Sequence, residues 1–394
     1  MSRLRVVFAI GGMHGGGSER QLVQLLKHLD RSAFQPFLYL AQRAGPLLSQ
    51  IPDDVPIYVS DERIRQPRLY VPGRAHSLRV GDYASLLQQL RADVSYDRTF
   101  LMTLITAAGA QRAGIPNVST VVTNPETGFA PVAGRFQWLK RRILHRLYNR
   151  STRVLAVSSG VRESAIRFYG IEPEKIHVQY NGIDVEQIRG VAAGVIENSW
   201  WGAGPGIPGR RLLRVVSAGR LNHEKGFHLL IEAVARMSVR RPDCELRVAL
   251  LGEGSHRAGL QSQIDRAGLS DAIRMPGFEP QAAAWIASAD IYVLPSLVEG
   301  MPNVLLEALV CGTPVIAADC PSGPSEVLEQ GRLGLLVPVS DAAAISVAME
   351  QILDFPEQAA ERVAAGRLSI ENRWTIQRAT RRLEAILQEA SSRR

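Results

Sequence analysis

The chain has 394 residues, 46 of them Lys or Arg against 38 Asp or Glu, for a net charge of +8, with 46% hydrophobic and 21% charged residues. That length exceeds one comfortable core and predicts two ordered domains. The three cysteines, Cys244, Cys311 and Cys320, exclude a disulfide framework by their odd count and fit a reducing compartment. Aromatics make up 6%, and no Arg-rich tract is interleaved with them, which argues against a nucleic-acid partner. The opening "MSRLRVVFAIGG" is too short in apolar residues for a secretory leader, and no run of eighteen apolar residues occurs, so the expected location is cytoplasmic.

Short β-branched runs alternate with amphipathic stretches, the pattern of parallel sheets built from βαβ units. Strands are predicted near 4–10, 34–41, 55–60, 93–96, 117–123, 154–158 and 176–180, with helices at 18–29, 82–91 and 159–169 among them. Residues 190–211 hold six glycines and two prolines, the chemistry of a linker. A second series follows, with strands at 213–218, 245–251, 273–275, 290–295, 314–318 and 334–338 and helices at 226–240 and 342–353. The domains read as 1–190, a linker at 191–211, 212–370, and a C-terminal helix within 371–394 whose return to the first domain is left open.

After the first strand comes "GGMHGGGSERQLVQLLKHL", five glycines in seven positions. It is neither G-x-G-x-x-G nor a Gly-Lys-Ser/Thr phosphate loop, and the next strand ends without an acid to hold a ribose. Ser18 and Gln21 stand at capping-box spacing, so a helix N-terminus is expected beside the bare backbone of Gly16 and Gly17. The reading is an anion or sugar approaching the backbone; a tight turn needing positive φ accounts for one or two of the glycines. Further on, "RFQWLKRRILHRLYNRSTR", Arg135 to Arg153, carries seven Lys or Arg and no acid. Phe136, Leu139, Ile143 and Leu147, with Trp138, recur at helical spacing beside that basic face. Such a helix either buries its stripe in its own domain or docks on anionic lipid at the inner face of the membrane.

The metal readings fail on spacing: His223 and His228 are five apart, and no Asp-x-Asp occurs. Phosphate chemistry then falls to cations and helix N-termini. "VVSAGRLNHEKGFHLLIEAV" puts Arg220 just beyond a strand and Lys225 where the next helix begins, with a Gly on each flank, as a diphosphate clamp would require. The stretch "SLVEGMPNVLLEALVCGTPVIAAD" sets Glu299 past a strand and Glu307 inside the following helix, with seven residues between them. Pro302 suits the first helical turn, where N–H groups near Met301, Asn303 and Val304 would face a ligand.

In their order, "SAGRLNHEKGFHLLIEA", "LLGEGS", "MPGF", "YVLPSLVEGMPNVLLEALVCGTPVIAAD" and "GLLVPVSD" resemble the retaining glycosyltransferases of family 4. The resemblance spans most of the chain and is strongest over 213–340. It implies the GT-B fold, an α/β architecture of two Rossmann-like, doubly wound domains facing a central cleft. It also implies a nucleotide-sugar donor, with a UDP-sugar expected, and an acceptor in surface polysaccharide or lipid-linked glycan synthesis, to which "DCPSGPSEVL" also points. By the same resemblance Glu307 binds the ribose and Glu299 faces the donor sugar, while Arg220 and Lys225 neutralise the leaving diphosphate with no metal cofactor. Gly252 and Gly254 let the nucleotide approach, Gly277 and Phe278 border the base, and Gly16, Gly17, Gly300, Met301, Asn303 and Val304 complete the donor side. The family often has a first-domain His in a loop that here reads "STVVTNPETG"; the candidates on the acceptor side are therefore His14, Thr123 and Asn124. A nucleotide-sugar epimerase of the same fold and a non-catalytic nucleotide- or glycan-binding scaffold are the competing readings.

Overall fold

The computed structural model describes residues 3–64, 73–196, 198–202 and 206–392. The chain parts into two units, Met1–Gly182 with Ile376–Arg394, and Ile183–Thr375. The first holds strands β1 (Leu4–Ile10), β2 (Phe34–Leu40), β3 (Ile57–Val59), β4 (Val94–Arg98), β5 (Asn117–Val121), β6 (Arg153–Ala156) and β7 (Ile176–Val178). They pair in parallel in the order β3-β2-β1-β4-β5-β6-β7. The second holds β8 (Arg211–Ala218), β9 (Cys244–Leu251), β10 (Ile273–Gly277), β11 (Ile291–Leu294), β12 (Val315–Ala318) and β13 (Leu335–Val337), parallel in the order β10-β9-β8-β11-β12-β13.

Both sheets are covered on both faces, which is why their strands read as near-continuous apolar runs. In β1 the alternation of side chains divides the work. Val6, Phe8 and Ile10 pack with Leu22, Leu26, Ile376, Leu383 and Leu387. Val7 and Ala9 join Tyr39, Tyr83, Leu87 and Met102 on the other face. The first face is thus closed by helices Gly17–His28 and Ile376–Ser391, the latter lying against the former and against β4 and β5.

Several boundaries differ from those expected. The expected C-terminal helix is Ile376–Ser391, and a further helix, Pro356–Arg373, precedes it. Between them Trp374 is buried and its carbonyl accepts the Ile183 N–H at 2.8 Å, beside a bridge between Ile183 and Thr375. The first unit therefore ends at Gly182, and residues 183–190 belong to the second. Helix Val185–Ala192 lies against helices Ala282–Ala287 and Asn303–Cys311 and runs into the expected linker, where Val195 and Ile207 are exposed but Trp201 is anchored. Trp201 is buried, its ring 5.1 Å from that of Trp285 and its Nε1 donating to Ser288 Oγ at 2.8 Å. Residues 197 and 203–205 lie outside the described residues. Of the predicted stripe, helix Gln137–Arg150 buries Leu147 and half-buries Ile143, adding Leu144 and Tyr148 against helix Phe100–Ala113, while Phe136, Trp138 and Leu139 stay exposed.

The end of β4 carries two adjacent buried charged residues, Asp97 and Arg98. Asp97 accepts hydrogen bonds from Thr103 Oγ1 (2.5 Å), Asn117 Nδ2 (3.1 Å) and Ser119 Oγ (2.9 Å). Burial nevertheless raises its pKa above the usual carboxyl range, the hydrogen bonds offsetting only part of the desolvation. A folded state that holds this proton more tightly than the unfolded chain has a contribution to stability that is full below the ordinary carboxyl pKa and lost as the pH rises through the raised value. Urea unfolding of wild type and Asp97→Asn across that window should diverge, wild type losing about 1.4 kcal/mol per pH unit relative to the variant. Parallel pH profiles would contradict the assignment.

Candidate active site

In the second unit the crossovers from β8 lead outward through β9 and β10, and those from β11 outward through β12 and β13. The loops after β8 and β11 therefore diverge, the place where open parallel sheets bind ligands. Lys225 comes from the first of these loops and Glu299 from the second. Lys225 Nζ meets Glu299 Oε1 at 2.6 Å, and Ser296 Oγ donates to the same oxygen at 2.7 Å. Glu299 is only 9% exposed. Both donors bond the same oxygen, Oε1.

The two loops are zipped by the Leu297 N–H, which donates to the Glu224 carbonyl at 2.8 Å. Gly226 sits at φ 67°, and a Cβ there would come 1.9 Å from the Pro295 carbonyl oxygen, so only glycine permits the approach. Glu224 is pushed up by burial, but its own N–H, Asn222, Arg220 and Lys225 outweigh that and hold it below the usual range. Arg220 itself is exposed and forms no ion pair among the described residues.

Glu307 lies half-buried in helix Asn303–Cys311. Tyr292 of β11 feels both acids: burial raises its phenol pKa, and the charges of Glu307 and then Glu299 raise it further, while its hydroxyl donates to the Ala218 carbonyl at 3.4 Å. Cys320, just past β12, is pushed up to about 12 by burial and by Glu299. Pro302 is the N-cap of that helix and not its first-turn residue, its carbonyl accepting the Leu305 N–H at 3.0 Å. No side chain caps this end, which Gly300, Met301, Asn303 and Val304 surround.

The glycines after β9 are required by backbone packing within the unit. A Cβ on Gly252 would lie 1.9 Å from the Gly219 carbonyl oxygen, and one on Gly254 2.5 Å from that of Leu221. The space that their missing side chains leave is filled by the backbone of the loop after β8. Gly277, at φ 102°, accepts the Gly252 N–H at 2.6 Å, and Phe278 beside it is more than half exposed. His223 stacks on His228 with centroids 5.0 Å apart and meets His256 edge-on at 5.7 Å. No group of three or more His, Cys, Asp or Glu among the described residues is arranged to hold a metal ion.

His14, Gly16, Gly17, Thr123 and Asn124 belong to the first unit. The capping box does not form: Gly16 is the N-cap, Gln21 is buried, and Ser18 Oγ accepts from Arg98 Nε at 3.1 Å. Gly15, at φ 94°, makes the turn, and the exposed His14 ring lies over Gly12. Asn124 is buried and spent on capping, its Oδ1 accepting the Glu126 N–H at 3.0 Å and Ser164 Oγ at 2.6 Å. That leaves Thr123 and His14 as the exposed members of the predicted acceptor set. Arg98, which spacing did not single out, also donates to Tyr96 Oη at 3.0 Å and Asn181 Oδ1 at 3.2 Å. Ser296 escaped notice as well, since nothing marks a lone serine before its contact is known.

Comparison with known proteins agrees with this geometry. Residues 213–354 match the family described as glycosyl transferases group 1, and residues 15–187 match glycosyltransferase family 4. The chain is 29% identical over 311 residues to a D-inositol 3-phosphate glycosyltransferase of Pseudarthrobacter chlorophenolicus, covering 76% of this chain and 71% of that protein. It is 30% identical over 253 residues to WcaL of Salmonella typhimurium, described as a putative colanic acid biosynthesis glycosyltransferase, covering 61% of this chain and 58% of that one. In fold it resembles Anabaena HepE, solved in complex with UDP, with a TM-score of 0.78 at 22% identity over 98% of this chain and all of that one. Two doubly wound parallel units, a paired lysine and glutamate at the second unit's diverging loops, and family matches over both halves agree: the chain belongs to the family 4, group 1 glycosyltransferases of GT-B fold.

Proposed function

We propose that the chain moves a sugar from a nucleotide-sugar, with UDP as the nucleotide, to a glycan or lipid-linked acceptor in surface polysaccharide or lipid-linked glycan synthesis. The observation that carries this is the shared oxygen of Glu299, held by Ser296 of its own loop and by Lys225, which shares the loop after β8 with Arg220. Lys225 and Arg220 supply positive charge where a diphosphate departs, and such fixed charge stabilises a leaving group only as it develops. Glu299 accepts a hydroxyl of the donor sugar, and Glu307 accepts the ribose hydroxyls from the helix below. Anomeric configuration is retained, Glu299 orienting the sugar without attacking it. The basic segment Arg135–Arg153 draws the enzyme to the anionic inner face of the membrane, where a lipid-linked acceptor resides. WcaL and HepE support this reading, the first by its description and the second by the UDP in its structure.

Separating the two acids tests the assignment. Glu307→Ala should weaken UDP by about 1.5–3 kcal/mol, roughly ten- to a hundredfold in Kd by calorimetry. Glu299→Gln should leave UDP affinity nearly unchanged and lose turnover. Equal loss of UDP affinity in both variants would reverse or void the roles.

Charge on the leaving diphosphate makes a separate claim. Activity should persist in excess chelator, and Lys225→Ala should lower kcat more than it raises KM. Activity abolished by chelator and restored by Mg²⁺ or Mn²⁺ would assign that charge to a metal instead.

A further inference from the structure

At one end of the first unit, non-polar side chains stand in solvent without cover. Helix Pro125–Ala133 and helix Gln137–Arg150 meet in a turn in which Gly134 takes φ 59° and Phe136 φ 60°. Around it Val132 is 55% exposed, Phe136 56%, Trp138 69% and Leu139 40%. The turn is tied down: Lys140 Nζ donates to the Ala133 carbonyl at 2.5 Å, and Gln137 Nε2 to the Ala130 carbonyl at 3.2 Å. The exposure therefore belongs to a built shape. Burying four such side chains is favourable wherever water can be left behind.

The charges beside the patch select what covers it. Trp138, Arg142, Arg146 and Arg150 follow at four-residue spacing, so they share one exposed face of the helix, opposite the buried Leu144, Leu147 and Tyr148. Arg135 adds a fifth exposed group, its guanidinium 5.6 Å from the Phe136 ring. No acid occurs between Arg135 and Arg153. Of the other cations there, Arg141 donates to the Phe168 carbonyl at 2.6 Å and Arg153 pairs with Glu389 at 2.5 Å, so they serve the fold. An apolar tip with tryptophan at its rim and a row of arginines behind it matches the layering of a bilayer interface, with acyl chains outermost to the tip and anionic headgroups along the row. A protein partner would have to be strongly acidic and apolar in the same register.

We infer that Val132, Phe136, Trp138 and Leu139 form a wedge that enters the acyl-chain boundary of an anionic bilayer, with Arg142, Arg146 and Arg150 on the headgroups. This rests on the membrane reading of Arg135–Arg153 and sharpens it: charge attracts, and the wedge holds. The two differ in salt dependence, because headgroup attraction is screened and non-polar burial is not.

Co-sedimentation of the full chain with phosphatidylglycerol–phosphatidylcholine vesicles, at low and high salt, tests it. Wild type should bind at low salt and keep a measurable part of that binding at high salt. Changing Phe136 and Trp138 together to Ser should remove the salt-resistant part, on the order of tenfold in partition coefficient. Changing Arg142, Arg146 and Arg150 to Glu should weaken low-salt binding by about fivefold or more per charge. The inference fails if wild type ignores the vesicles, if high salt releases all of it, or if the Phe136 and Trp138 changes leave partition intact. It fails equally if those changes dissolve a dimer of the chain that binds no lipid. Thermal stabilisation by UDP, read on the same preparations, reports the donor site in the other unit separately, so either reading can fail without the other.

Discussion

A carboxylate almost out of water must have its lone pairs matched, and Glu299 finds its partners on two different loops. Ser296 is local and costs the chain little. Lys225 is contributed across the divergence of the sheet, and bringing it within 2.6 Å obliges the loop after β8 to lie against the loop after β11. From that follow the glycine at 226, where backbone passes backbone, and the Leu297 to Glu224 hydrogen bond that seals the contact. The loop after β9 then has to fit against the far side of the same turn, which leaves no room for side chains at 252 and 254. One ion pair thus organises three strand ends.

The first unit has the same winding and treats charge differently. Asp97 and Arg98 are neighbours in sequence, yet successive strand residues point to opposite faces, and the two do not pair. Asp97 is solvated by hydroxyls and an amide below the sheet's end, and Arg98 by Ser18, Tyr96 and Asn181. Neutral dipoles replace water for each ion, an arrangement that holds geometry more than it adds stability. Arg98 also takes the serine that would otherwise have capped the helix beside the glycine loop. Local preference yielded to a long-range contact.

Buried strands and helices with one buried face were legible in the chain. Strands β1 and β8 to β13 fall within a few residues of their expected places because short β-branched apolar runs mark them, and helix Phe227–Arg240 does so because helical periodicity marks its buried face. Helix Phe100–Ala113 was not: it is buried nearly all round, so it has no polar face to set a period. Helix Arg74–Gln89 was read from residue 82 because its first turns are exposed and carry no apolar repeat. The segment around Trp201 looked like a linker because its glycines and prolines outnumber the two tryptophans that anchor it. At the site, Lys225, Glu299 and Glu307 could be picked out because a charge beside a strand end is costly without a reason. Ser296 and Arg98 could not, since their meaning lies in partners 3 and 83 residues away.

The return of helix Ile376–Ser391 has a consequence for how the molecule is made. Ile376, Leu383 and Leu387 are part of the core under β1, yet nearly two hundred residues of another unit are synthesised before them. During translation residues 1–182 emerge first and cannot close that face of their sheet. The second unit is complete once Thr375 is made, before that last helix exists, so it is the half able to complete its fold first, against the usual N-to-C order. Until the last helix docks, the underside of β1 and helix Gly17–His28 stay open to water, and that interval is when the nascent chain is most exposed to chaperones and to aggregation.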